Sequence, residues 1–255
     1  MIERETAQEI LNALPSLPEE PRLILVGVGG AGVRMLQAVD PVPGLRVVAL
    51  DTDDYALALS GIEKQLYLPT PAKLGTGGDP SRGKATALRH RDEIRELLEG
   101  DILFLMAGLG RGTGTGVAPV VAELARERGL SVLALLAWPF RREDLGKTAA
   151  KGLHRLRAYT DGLLVLDNDA AMDFPGIEAR GDAAQSVNEM LGQVLLDLRE
   201  RISGAFPLTV LEEMADFLEG LPRGNTRLPV RVTAWSTGKA ADPVSVSPGG
   251  VVEIR

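Results

Sequence analysis

Five glycines fall within nine residues, 108–116, where an apolar run gives way to a helical pattern. The stretch reads Gly-Leu-Gly-Arg-Gly-Thr-Gly-Thr-Gly, between the apolar run 102–107 and the amphipathic segment 117–128. A strand, a glycine loop and a helix in this order bind anions, because backbone N–H groups converge there and a helix N-terminus carries about half a positive charge. We expect several of these glycines to take φ > 0 and to let an anion reach the backbone. Thr113 and Thr115 would add hydroxyl donors.

A second glycine loop follows the first predicted strand, 22–28. Gly27, Gly29 and Gly32 satisfy G-x-G-x-x-G, and the next strand, 46–50, ends in Asp51. An acid about 20 residues beyond the first glycine completes the fingerprint of dinucleotide sites. Alone, this segment favours a nicotinamide cofactor, but other nucleotides bound at a βα turn can use the same glycines.

A third glycine loop, residues 73–80, ends in Asp79 and Pro80 and precedes a predicted helix over 81–99. The central loop does not close with Gly-Lys-Ser/Thr, so it is not a Walker A motif. Polar residues 167–169 follow another predicted strand, 162–166, where open α/β sheets bind ligands.

Apolar runs and amphipathic segments alternate along most of the chain, which predicts an α/β fold with a mostly parallel sheet. Strands are predicted at 22–28, 46–50, 66–68, 102–107, 131–137 and 162–166, and helices at 55–60, 81–99, 117–128 and 145–159. Residues 1–21 form a predicted helical extension before the main domain, 22–181. A long helix follows at 182–203. Residues 204–255 contain a predicted helix at 208–218 and predicted strands at 228–235 and 251–254, and the tail 222–255 is too short for a second domain with its own core.

Composition narrows the possible functions. The 255 residues carry a net charge of −7, which argues against unspecific binding to nucleic acid or to an anionic membrane. With no cysteine and two histidines, disulfides, thiolate metal sites and histidine triads are not expected. The chain lacks an apolar run near the roughly 20 residues of a membrane span, and its acidic start is unlike a signal peptide. We therefore expect a cytoplasmic protein without membrane insertion.

The three glycine loops, in this order and spacing, resemble those of the tubulin/FtsZ GTPases, and most closely bacterial FtsZ. The similarity covers about residues 22–203, and 110–116 looks like the family signature G-G-G-T-G-T-G with Arg111 replacing a glycine. The resemblance implies a three-layer, Rossmann-like GTP-binding domain with a long central helix. It also implies GTP or GDP as ligand, with Mg²⁺ held through the phosphates and not by protein side chains.

The resemblance carries nucleotide-binding roles over to particular positions. The resemblance implies that Glu143 is the acid at the ribose and that Lys147 is the basic residue four positions later. It also implies that Asn168 and Asn188 recognise guanine. The phosphate loops and their surroundings supply the rest: Gly29, Gly30, Gly32, Arg34, Asp51, Thr52, Gly75, Gly78, Gly108, Gly110, Arg111, Gly112, Thr113, Gly114, Thr115 and Gly116.

The chain also departs from the family pattern. Arg34 stands where the family has an asparagine, and Arg111 can either grip a phosphate or obstruct it. The family's water-positioning acids, which serve the neighbouring subunit's site in a filament, align with Thr209, Leu211 and Met214. Glu212 and Glu213 lie nearby but out of register. Most of the family's second domain is missing from this sequence.

These observations predict a GTP-binding protein with weak or absent hydrolysis and doubtful filament formation. Its partners would be a guanine nucleotide and either itself or a full-length FtsZ-like protein. Three alternatives remain: a polymerising GTPase that uses Glu212 or Glu213 as catalytic residue, a nucleotide-free scaffold that regulates a true FtsZ, and an NAD-dependent oxidoreductase.

Overall fold

A computed structural model describes residues 22–38, 45–71, 75–172, 179, 181, 183–185 and 230–234. One seven-stranded sheet runs through them in the order β3-β2-β1-β4-β5-β6-β7. Neighbouring strands from β3 to β6 are parallel, and β7 is antiparallel to β6. The strands are β1 (Leu23–Val28), β2 (Arg46–Asp51), β3 (Lys64–Tyr67), β4 (Ile102–Gly108), β5 (Ser131–Trp138), β6 (Gly162–Asp167) and β7 (Val230–Ala234). The predicted α/β class with a mostly parallel sheet is confirmed.

Helices cover the sheet and bury its central strands. The helices are α1 (Gly29–Gln37), α2 (Asp54–Ala58), α3 (Pro80–Arg89), α4 (Arg91–Leu97), α5 (Gly112–Glu127), α6 (Gly146–Arg157) and α7 (Asn168–Ala171), with a 3₁₀ turn at Arg141–Glu143. The apolar residues of β1 and β4 are almost completely buried, as expected for parallel strands covered on both faces. α5 is buried along most of its length because α3, α6, β4 and β5 all pack against it.

The strand order places a crevice at the carboxyl edge of the sheet. β1 and β4 are neighbours, but β1 leads through α1 to β2 on one side, and β4 leads through α5 to β5 on the other. Because parallel crossovers are right-handed, α1 and α5 pack on opposite faces of the sheet. Their N-termini therefore flank the point where the strand order reverses, which is where open α/β sheets bind ligands.

The single helix predicted over 81–99 is wrong, because the structure contains two helices joined at His90. The backbone of His90 has φ −106° and ψ 24°, outside the helical region. Its N–H group bonds back to Thr86 and Ala87, and its Nδ1 lies 2.6 Å from Oε2 of Glu93. The bend lets both α3 and α4 pack against α5, an arrangement that residue-by-residue periodicity does not reveal.

Several predicted segments lie outside the described residues. These are the extension 1–21, most of the helix 182–203, and residues 204–255 apart from β7, including the predicted strand 251–254. The strand predicted at 228–235 is present as Val230–Ala234 and completes the sheet beside β6. The domain boundaries therefore stay predictions. Among the helices that the structure describes, none is long and apolar enough to span a bilayer.

Candidate functional site

The N-termini of α1 and α5 meet in the crevice between β1 and β4. Gly29 begins α1 directly after β1, with φ +71°, a conformation that favours glycine. A Cβ atom on Gly29 would lie 3.1 Å from the backbone nitrogen of Gly114, in the first turn of α5. The first glycine loop and the central glycine loop, which the sequence predicted to share a site, are therefore in contact.

Both helices begin without a side-chain cap. The N-cap residues are Val28 for α1 and Arg111 for α5. Neither side chain carries a hydrogen-bond acceptor, so neither can take up an N–H group of the first turn. A helix leaves its first four N–H groups without partners inside the helix. We call these two N-termini open, and together they direct backbone donors and two positive helix-dipole ends into one crevice.

The glycines of the central stretch serve close packing more than unusual backbone angles. Gly110 has φ +102°, but Gly112, Gly114 and Gly116 lie inside α5, so the expectation of several positive φ values is wrong here. A Cβ on each of these three helical glycines would overlap, respectively, the Thr76 side chain, the Gly108 carbonyl oxygen and the Pro80 carbonyl oxygen. α5 can therefore begin this close to β4 and α3 only if these positions are glycine.

The two threonine hydroxyls already have partners within the protein. Thr115 is 1% exposed, and its Oγ1 accepts the N–H of Gly110 at 2.8 Å, which fixes the loop ahead of α5. The hydroxyl of Thr113 shares a hydrogen bond of 2.7 Å with that of Thr52. The Thr115 oxygen is therefore engaged with the loop, and the expectation that its hydroxyl donates to an anion stays a prediction.

Asp51 lies beneath the site as a buried carboxylate. It is 3% exposed and accepts the backbone N–H groups of Thr52 at 2.6 Å and Asp53 at 3.3 Å. Burial raises the pKa of the Asp51 carboxyl, and these two N–H groups partly offset the shift. The carboxylate holds the turn that follows β2, and its assignment to a nucleotide site stays a prediction.

The third glycine loop lies against the central loop and against the turn that follows β2. Gly75 and Gly78 have φ +64° and +81°, and a Cβ on Gly75 would be 3.6 Å from Oγ1 of Thr52. Its carbonyl oxygen accepts the hydroxyl of Thr70 at 2.8 Å, and Thr76 packs against Gly112. Sequence reasoning placed the loop near the site but missed Thr76, for which the sequence contains no distinctive signal.

The segment between β5 and α6 borders the central loop. Glu143 accepts a hydrogen bond from Arg111 Nη2 at 2.6 Å through Oε1, and from the N–H of Phe140 at 3.2 Å through Oε2. A Cβ on Gly110 would lie 3.1 Å from the Pro139 ring. Lys147 is the second residue of α6 and is exposed. The predicted ribose acid therefore lies beside the central loop, already paired with an arginine of that loop.

Asn168 provides a buried acceptor near the end of β6. It is the first residue of α7, and among the described residues its buried Oδ1 has no hydrogen-bond partner. The neighbouring Asp169 accepts the N–H of Arg141 at 2.5 Å, and its own N–H bonds to Asp167 at 3.0 Å. A buried amide oxygen without a partner is costly and is expected to be satisfied by another molecule or segment. Asn188, Glu212 and Glu213 lie outside the described residues.

Arg34, the second arginine that departs from the family pattern, reaches back along α1. Its Nη1 would lie 3.5 Å from a Cβ atom on Gly30, in the first turn of the helix, and the side chain is exposed. A second guanidinium group therefore lies near the open N-terminus of α1.

Comparisons with known proteins agree with this geometry. A family model described as "Tubulin/FtsZ family, GTPase domain" matches residues 22–175, more than half of the chain. The cell division protein FtsZ 2 of Halobacterium salinarum is 34% identical over 191 residues, which cover 72% of this chain and 48% of that protein. The chain thus spans about half the length of the curated relatives that it matches.

Two solved structures of FtsZ from M. jannaschii have a similar fold. One is a mutant, with a TM-score of 0.68 and 31% sequence identity, and the matched region covers 72% of this chain and 57% of the FtsZ chain. The other is an empty dimer, with a TM-score of 0.66 and 30% sequence identity, and the matched region covers 80% of this chain and 60% of the FtsZ chain.

Proposed function

The chain belongs to the tubulin/FtsZ family, and on that premise we propose that it binds GTP or GDP between α1 and α5 and hydrolyses GTP slowly or not at all. Mg²⁺ would bind through the phosphate oxygens. The described residues contain no group of three or more histidine, aspartate or glutamate side chains placed to hold a metal ion. Phosphate oxygens are hard ligands of the kind that Mg²⁺ prefers.

The observation that carries this proposal is the meeting of two open helix N-termini in one crevice. Gly29 and Gly114 are in contact, so the first-turn N–H groups of α1 and α5 face one ligand position. Backbone N–H groups and helix dipoles favour phosphate, and the missing Cβ atoms let phosphate oxygens approach the backbone. A polyphosphate has enough oxygens to engage both helices.

The other end of the crevice suits a nucleoside. Glu143 offers carboxylate oxygens to sugar hydroxyls, and Lys147 lies in the first turn of the helix that follows it. The unpartnered Oδ1 of Asn168 can accept a hydrogen bond from a purine edge, while its amide nitrogen can donate one.

Slow hydrolysis is supported by the residues that replace the family's water-positioning acids. These positions align with Thr209, Leu211 and Met214, all of which lie outside the described residues. Leucine and methionine cannot orient a water molecule as a carboxylate does, so the attacking water would lack its positioning group. The M. jannaschii relative whose structure is described as a dimer makes a second copy, or a longer FtsZ-like protein, the partner to test first.

Phosphate release from GTP, measured over a wide range of protein concentrations, tests the proposal. We expect GTP to raise the melting temperature, since a ligand of the folded state stabilises it by RT ln(1 + [L]/Kd), while turnover stays low and independent of protein concentration. Turnover that rises steeply with concentration would contradict slow hydrolysis and favour a polymerising GTPase. Loss of that turnover in Glu212→Ala or Glu213→Ala would then identify the acid.

Parallel melting curves with NAD and ATP separate the remaining alternatives. Stabilisation by NAD but not by GTP would support an oxidoreductase. If no nucleotide stabilises the protein, the chain is better described as a scaffold without nucleotide.

A further inference from the structure

Arg111 places a cation at an unusual position, the N-cap of α5. The positive end of the helix dipole lies at the same place, so a guanidinium group there is unfavourable unless an anion accompanies it. In the structure that anion is Glu143, whose Oε1 lies 2.6 Å from Arg111 Nη2. Glu143 is also the acid that the proposed function assigns to the sugar. One carboxylate therefore has two possible partners.

The two members of this ion pair are held very differently. The Glu143 side chain is 26% exposed, and its second oxygen accepts the N–H of Phe140. The N–H of Glu143 in turn bonds to the Phe140 carbonyl at 3.0 Å, which closes a tight turn. The Arg111 side chain is 72% exposed, and Glu143 is its one partner among the described residues. When the pair separates, Arg111 is therefore the member that moves.

We propose that Arg111 is a phosphate-binding residue that leaves Glu143 when a polyphosphate enters the crevice and thereby frees Glu143 for the sugar. This inference rests on the proposed nucleotide function. Exposed ion pairs contribute little to stability, so this pair is readily broken. Phosphates carry more charge than one carboxylate and accept the planar guanidinium fork through two parallel hydrogen bonds. The exchange also places an anion at the positive end of α5.

The exchange predicts opposite effects of Glu143 on two parts of the ligand. Glu143 competes with phosphate for Arg111, so its neutralisation strengthens the binding of a phosphate chain that has no sugar. The same change removes the acceptor for sugar hydroxyls and weakens the binding of a nucleoside without phosphates. A purely structural ion pair would shift both affinities in the same direction or neither.

The test is a calorimetric titration, at constant ionic strength, of four proteins with sodium tripolyphosphate, guanosine and GTP. The proteins are wild type, Arg111→Met, Glu143→Gln and the control Arg46→Met. Arg46 forms a comparable exposed ion pair with Glu99, 2.8 Å long, at the opposite edge of the sheet. The control therefore reproduces the loss of one cation and one surface ion pair without touching the crevice.

We expect Arg111→Met to bind tripolyphosphate and GTP about tenfold more weakly than wild type, because one charge-assisted contact is lost. Its affinity for guanosine should not fall. Glu143→Gln should bind tripolyphosphate more tightly than wild type and guanosine more weakly. Arg46→Met should match wild type with all three ligands.

Three outcomes overturn the inference. The first is that Arg111→Met binds tripolyphosphate as Arg46→Met does, or binds GTP more tightly than wild type, in which case Arg111 obstructs the site. The second is that Glu143→Gln leaves the tripolyphosphate affinity unchanged or lowers it. The third is that wild type does not bind tripolyphosphate at all. If wild type binds tripolyphosphate with the predicted Arg111 dependence but neither GTP nor guanosine, the guanine proposal fails and the assignment of Arg111 to phosphate stands.

Discussion

Two of the described helices, α2 and α3, begin with a side-chain cap, whereas α1 and α5 at the crevice begin without one, as do α4 and α6 elsewhere. α2 and α3 are capped by their own aspartates: Asp53 accepts the N–H of Ala56 at 3.1 Å, and Asp79 accepts that of Ser81 at 2.8 Å. α1 and α5 follow glycine loops, and their N-cap side chains, Val28 and Arg111, contain no acceptor. In α2 and α3 the aspartate side chain accepts one N–H group of the first turn. In α1 and α5 the N-cap side chain accepts none, so the first-turn N–H groups can bind a separate anion.

The N-cap aspartates of α2 and α3 stabilise the fold, whereas the N-cap residues of α1 and α5 leave room for a ligand. A carboxylate at an N-cap stabilises a helix but occupies the place where a phosphate would bind. Close glycine packing is not confined to the open helices, because a Cβ on Gly83 of the capped helix α3 would overlap the Gly112 carbonyl oxygen. The contact between Gly29 and Gly114 is what brings the two open N-termini together, at the strand-order reversal between β1 and β4.

The largest effect is expected from a methyl group added to the first turn of α5. In Gly114→Ala the new Cβ would press on the Gly108 carbonyl oxygen, and neither backbone can move easily. We expect a loss of about 3 kcal/mol in the free energy of unfolding, measured by urea denaturation. Gly146→Ala is the matched control, because a Cβ there has no neighbour within 4 Å at the start of α6. Equal stability of the two variants would show that the close packing of α5 is not required.

Converting the open helix α5 into a capped one should separate binding from stability. Arg111→Asp supplies an acceptor for the first turn and places a negative charge where phosphate would bind. We expect GTP affinity to fall at least about 100-fold, while the unfolding free energy stays within about 1 kcal/mol of wild type. Calorimetry and urea denaturation measure the two quantities, with Arg46→Asp as the charge-reversal control. Unchanged GTP affinity in Arg111→Asp would contradict the distinction between open and capped helices.

The converse change, removal of a cap from α2, should affect stability alone. Asp53→Ala leaves the N–H of Ala56 without its acceptor and should cost about 1 kcal/mol of unfolding free energy. Asp54→Ala, which removes the adjacent exposed acid without removing the cap, should cost less. GTP should raise the melting temperature of both variants as much as that of wild type. A selective loss of the GTP effect in Asp53→Ala would place this helix in the binding site.

A smaller effect is expected from the titration of Asp51, which should make the free energy of unfolding depend on pH. Burial raises its pKa in the folded protein, so the folded state holds the proton more tightly than the unfolded chain. Its contribution to stability is therefore full below the unfolded pKa, about 3.9, and is lost as pH rises through the folded value. The unfolding free energy of wild type relative to Asp51→Asn should therefore fall as the pH rises from about 4. A relative rise with pH would reverse the sign of the pKa shift.

The fold class and the position of the site could be predicted from the sequence because both depend on local patterns. Apolar runs ending in glycine loops locate the carboxyl edge of a parallel sheet. The helix α5 begins five residues earlier than the periodicity at 117–128 indicates. Glycine has poor helix propensity, and tertiary packing overrides that preference here. The same dependence on packing explains why the predicted helix over 81–99 is divided at His90.

The side-chain partners within the site could not be read from the sequence. Arg111 and Glu143 are 32 residues apart, and Thr52 and Thr113 are 61 apart. These pairs depend on how loops from different strands meet at the sheet edge, for which no local pattern exists. The sequence identified Arg111 as a departure from the family, and the structure identifies its partner.

The most direct test of the central claim is a calorimetric titration of the wild-type protein with GTP in the presence of Mg²⁺, alongside ATP. The account predicts one GTP-binding site per chain, with much weaker binding of ATP. The absence of binding heat with GTP or GDP under these conditions, in a protein that unfolds cooperatively, would contradict it.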